Sequence, residues 1–126
     1  MNTELKSNQP IKKAILMCTC SFAYPSMKDI NFSELTEIIR LELPLDYMLL
    51  HPRLCEENGE NLMSDLLKDG VAYITPAYKE EKQKKLLRDG FERAGVEMNQ
   101  NWKPVSISFK DTETAFNDIK KTLEEI

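Results

Sequence analysis

Apolar residues along this chain follow two rhythms. Ala14–Met17, Tyr47–Leu50 and Val71–Ile74 are short runs without polar alternation. Such runs predict strands buried on both faces, as in a parallel sheet. The stretch VSISF at 105–109 alternates, with Val105, Ile107 and Phe109 on one side and Ser106 and Ser108 on the other. It predicts a half-exposed edge strand. Between the runs, apolar residues recur at helical spacing. After an Asn31 cap, Leu35, Ile38 and Ile39 share a face and Pro44 follows the end. Leu62, Met63, Leu66 and Leu67 make a second stripe, with Gly70 expected as its C-cap. Leu86, Leu87, Phe91 and Ala94 make a third, closed by Gly95, and Gly90 inside it predicts a close contact. The fourth begins at an Asp111 cap and buries Ala115, Phe116, Ile119 and Leu123.

The order is βαβαβαβα. It predicts an α/β fold: a single domain with a mostly parallel four-stranded sheet and flanking helices. The domain is expected over residues 12–126, after a polar and mobile lead-in at 1–11. The longest connection, residues 21–30, reads as structureless, and loops of that kind after a strand often serve a site.

Composition narrows the function. The 126 residues are 41% hydrophobic and 30% charged, a soluble globular profile. A formal net charge of −4 gives no electrostatic reason to expect nucleic acid or an anionic membrane as partner. No apolar run approaches the ~20 residues of a membrane span, and the N-terminus carries no apolar signal core, so the expected location is cytoplasmic. The four glycines form neither a dinucleotide fingerprint nor a Walker loop, and a single histidine rules out multi-histidine metal sites. Three cysteines, an odd number, do not make a disulfide framework.

Those cysteines are the chemistry to explain. Cys18 and Cys20 follow the first strand, Cys55 the second, and Tyr78 the third. In a parallel sheet these exits share the carboxyl edge, where open α/β sheets bind ligands. Three converging thiols suit an iron–sulfur cluster, which usually takes four thiolates; His51, Tyr78, solvent or another chain could supply the fourth ligand. A zinc site with three sulfurs and His51 is formally allowed, although C-x-C is a less usual zinc spacing than C-x-x-C. Thiol chemistry at a helix N-terminus, for sulfur transfer or disulfide exchange, is another reading. Simple packing is the alternative for each cysteine, since free cysteine is among the most buried residue types.

The same features carry a family resemblance. A strand ends in a cysteine pair, a second ends in a cysteine before a Glu/Asn/Gly-rich helix start, and a third leads to YKEEKQKKLLRDGFERAGV. From about Lys12 onward the chain resembles two related groups. One is the amino-terminal domain of the A-type subunit of heterodisulfide reductase, the other the delta subunit of methyl-viologen-reducing hydrogenase. The resemblance implies that Cys18, Cys20 and Cys55 ligate an iron–sulfur cluster passing electrons to or from a larger oxidoreductase subunit. The chain departs from both groups after the third strand: where they carry a further cysteine, it has ITPAYKEE, with Tyr78 or the Thr75-Pro76-Ala77 turn in that place. Two other functions stay open, a degenerate, cluster-free interaction or assembly subunit of the same fold and a cysteine-based sulfur carrier. A homodimer is the second partner considered.

Overall fold

The computed structural model describes residues 12–126, so the expectation for 1–11 lies outside the described residues. Strand β1 (Lys12–Cys18) leads through two short 3-10 turns (Thr19–Ala23 and Pro25–Met27) to α1 (Phe32–Glu42). Then come β2 (Tyr47–His51), α2 (Glu57–Leu66), β3 (Val71–Ala77), α3 (Glu80–Ala94), the single helical turn α4 (Met98–Asn101), β4 (Trp102–Ser106) and α5 (Thr112–Glu124). The four strands form one sheet in the order β2-β1-β3-β4, and every pairing is parallel. The α/β class, the single domain and the alternating element order therefore stand as the pattern predicts.

The helices end where their chemistry says. Asn31 accepts a hydrogen bond from the Glu34 N–H at 3.0 Å, and Asp111 accepts one from Thr114 at 2.8 Å. Each cap satisfies a donor that the first helical turn leaves orphaned. Gly95 closes α3 in the left-handed conformation. On one face of the sheet Ile15, Met17, Ile74 and Ile107 pack under Phe32, Leu35 and Ile39 of α1 and Ala115, Ile119 and Leu123 of α5. On the other, Ala14, Leu16 and Tyr73 pack under Met63 of α2 and Leu87 and Phe91 of α3. Gly90 is where α3 meets Met63: a β-carbon there would fall 2.6 Å from the Met63 Cε. The predicted close contact is thus between two helices on one face.

Four details differ from the sequence expectation. The 21–30 connection is ordered into 3-10 turns and packs Phe22 flat on Phe32, with ring centroids 3.9 Å apart. Helix α2 stops at Leu66, and Gly70 stands in the following turn at φ +87° rather than capping it. The fourth strand spans 102–106, three residues earlier than VSISF. Pro104 does not break it, because the ladder bonds on the β3 side come from odd-numbered residues and the missing N–H falls on the open edge. Phe109 consequently lies beyond the strand, exposed and at φ +61°. Finally, β2 is not buried on both faces: it is a sheet edge, with Tyr47 and Leu50 exposed.

Candidate functional site

The strand order places a topological switch between β1 and β3. β1 continues outward to β2, and β3 continues the other way to β4. Beyond the carboxyl ends of such a pair the loops diverge and leave a crevice. A cavity of about 30 Å3 lies there, room for one or two waters. Leu16 and Cys18 from β1, Cys20 from the first 3-10 turn, Leu54 and Cys55 from the β2–α2 loop, and Thr75, Ala77 and Tyr78 from the β3 exit line it, under Gln83, Leu86 and Leu87 of α3. The three cysteines and Tyr78 therefore share one cavity.

Each thiol is placed by local backbone structure. The Ser21 hydroxyl donates to the Cys18 carbonyl at 2.8 Å, closing the 3-10 turn that carries Cys20. The Cys20 N–H donates to the Pro52 carbonyl at 3.2 Å, which ties that turn to the loop bearing Cys55. The Leu54 N–H donates to the Cys18 sulfur at 3.1 Å. Gly59, in the first turn of α2, lets this loop lie close: a β-carbon there would collide with the Arg53 carbonyl and the Leu54 backbone. Tyr78 points its hydroxyl at the Cys20 sulfur, 4.0 Å away.

The electrostatics follow from apolar walls. Burial pushes the Cys18 thiol up to about 12, against the opposing pull of the Leu54 N–H, and the neighbouring Cys20 and Cys55 raise it further. Cys18 is therefore a thiol, not a thiolate, at neutral pH. Burial, with Cys20 beside it, also raises Tyr78. Over Tyr78 sits Tyr24, edge-on with centroids 4.8 Å apart. The Lys82 ammonium lies over both rings, 4.2 and 4.1 Å from their centroids, and donates to the Tyr24 hydroxyl at 2.7 Å. The aromatic pair and its cation flank the Cys20 side of the cavity.

His51 goes elsewhere. It pairs in register with Cys18, but its Nδ1 accepts the Arg53 N–H at 3.0 Å, and it is not among the cavity-lining residues. Thr75, within β3, faces the cavity, whereas Pro76 does not line it.

Sequence reasoning missed the polar frame beneath the cavity. The buried Gln83 side chain donates to the Tyr78 carbonyl at 2.6 Å and the Val105 carbonyl at 3.2 Å, and accepts from the Thr75 hydroxyl at 2.6 Å. Thr75 in turn accepts from the Trp102 indole at 2.8 Å. The signal was present: Gln83 stands four residues before Leu87, a polar residue within an apolar stripe.

An iron–sulfur cluster fits this donor set in kind. Thiols in apolar surroundings, one of them receiving a backbone N–H, are the environment such clusters use. The set supplies three thiols where four ligands are usual. Among the described residues no group of three or more His, Cys, Asp and Glu side chains stands together as a single-ion site. That weighs more against zinc than against a cluster, whose thiolates sit on separate irons. No known protein family matches the chain, and no curated protein does. Among the described residues, no helix is long and apolar enough to cross a membrane.

Proposed function

We propose that the chain is a small redox accessory protein that carries an iron–sulfur cluster and exchanges electrons with a larger oxidoreductase of the heterodisulfide-reductase or hydrogenase kind. One observation carries the reading: three thiols, from the end of β1, the turn after it and the β2–α2 loop, line one cavity at the sheet's switch point. Cys18, Cys20 and Cys55 would be the ligands, with the Tyr78 phenol or solvent completing the set. When bound, the cluster supplies one-electron transfer. The chain's residues then set its environment. The Leu54 N–H lowers electron density on the Cys18 sulfur, Leu16, Leu54, Leu86 and Leu87 keep water out, and Tyr24 with Lys82 flanks the Tyr78 side.

A second reading rests on the cavity itself. With three thiols and room for one or two waters, the same fold would serve as a cluster-free interaction subunit. Anaerobic reconstitution separates the two. Stoichiometric iron and sulfide with thiolate-to-iron bands in the visible spectrum, lost in Cys55→Ser, supports the electron carrier. Well-folded, colourless, iron-free protein overturns it and leaves the interaction subunit.

A further inference from the structure

The two edges of the sheet are built differently. β4 carries Lys103 and Pro104, the residues that blunt a strand edge. β2 reads Tyr-Met-Leu-Leu-His, with no proline and no acidic, lysine or arginine side chain. Among the described residues, β2 pairs only with β1. The Lys12 N–H donates to the Gly70 carbonyl on the β3 side, so the odd-numbered positions of β1 face β2. With Cys18 opposite His51 and no N–H on Pro52, the ladder to β1 uses the odd-numbered positions of β2. By alternation, the N–H and C=O groups of Met48 and Leu50 point to the open side.

That row is self-complementary. If a second β2 runs antiparallel about Leu49, Leu49 faces Leu49, and Tyr47 faces His51 at each end. Every outward donor and acceptor then meets a partner. The side-chain pairs are Leu49 with Leu49, Met48 with Leu50 and Tyr47 with His51, so no like charges meet. Tyr47 and Leu50, 36% and 41% exposed, lose apolar surface to water in this arrangement. Alongside runs a groove of about 130 Å3 walled by Ile39, Arg40, Leu43, Leu45, Tyr47 and Met48, and its one charge, Arg40, is paired with Glu37 on the same helix. An uncharged edge offers nothing to select a partner of opposite sign, whereas a two-fold axis closes the contact with identical surfaces.

We propose that the chain forms a two-fold dimer by antiparallel pairing of β2 with β2 of a second copy, joining two sheets into one. This is independent of whether the thiols bind a cluster. The test is sedimentation equilibrium of the full chain from low to high micromolar concentration, with amide hydrogen exchange beside it. The expected mass rises from 14.6 kDa toward twice that value. Leu50→Lys holds it at one chain while circular dichroism stays native, and in the unaltered chain the Met48 and Leu50 amides gain protection only as concentration rises. A single-chain mass throughout overturns the proposal. So does a dimer that survives Leu50→Lys, which means another surface pairs. Met48 and Leu50 amides protected at every concentration in a monomer also overturn it, because another part of the same chain then covers the edge.

Discussion

Replacing Gln83 by methionine tests how the carboxyl edge is held. The shape is nearly kept, so the packing term is small. What is lost is polar. Gln83 satisfies the Tyr78 carbonyl at 2.6 Å, the Val105 carbonyl at 3.2 Å and the Thr75 hydroxyl at 2.6 Å, all in the interior. Each buried group left without a partner costs about 1–3 kcal/mol. The longest of the three bonds counts least, and the adjacent cavity lets a water reach one orphaned group. A loss of about 3 kcal/mol results, near 10 °C in Tm for a domain of this size. Urea and thermal unfolding followed by circular dichroism measure it. Thr75→Val strikes the same network by orphaning the Trp102 indole, so the double variant should lose less than the sum of the two. A Gln83→Met chain within about 0.5 kcal/mol of the wild type would refute the idea that these bonds hold β3, β4 and α3 together.

Other outcomes follow from single sites. Gly90→Ala gains about 1 kcal/mol of helix propensity but drives a methyl into the buried Met63, so it should destabilise by about 1 kcal/mol net. In a Met63→Ala background the same change should stabilise, a reversal that urea melts would show. Phe109→Gly removes a bulky residue from φ +61° at an exposed position, so relief of backbone strain should offset the flexibility of glycine and leave Tm unchanged or slightly raised. The Cys18 thiol titrates near 9.0 when unfolded and about 12 when folded. The unfolded chain therefore releases its proton first. The contribution of Cys18 is complete below pH 9 and is lost as pH rises toward 12, and Cys18→Ala should flatten that alkaline decline in denaturant midpoints.

Much of the fold is legible from spacing alone. The period of 3.6 placed Leu35 and Ile39, Met63, Leu87 and Phe91, and Ala115 and Ile119 on buried faces, and the Asn31 and Asp111 caps lie where side-chain oxygens can reach free N–H groups. What pattern cannot supply is strand order. A run such as YMLL looks the same at an edge as at the centre, so the exposure of β2 emerges only from the pairing. WKPVS was hidden because its lysine and proline argue against a strand until one sees that Pro104 turns its missing N–H outward. For the site, parallel topology alone put Cys18, Cys20, Cys55 and Tyr78 at one edge, and they share one cavity. His51 does not line that cavity, and its ring nitrogen serves the turn at Arg53. The Lys82–Tyr24–Tyr78 stack joins residues 58 apart in sequence, a distance no motif spans.

The central claim is that three thiols from the β1 exit and the β2–α2 loop act as one site. Anaerobic reconstitution of the reduced chain with iron and sulfide tests it most directly, because the thiolate-to-iron absorption reports ligation by the cysteines themselves. Binding also removes the protons that burial keeps on the thiols, Cys18 above all. The account predicts absorption that saturates at a stoichiometric ratio of iron to chain, with a weaker band in each of Cys18→Ser, Cys20→Ser and Cys55→Ser. Binding that is unchanged when Cys55 is lost, or no binding at all, would contradict it.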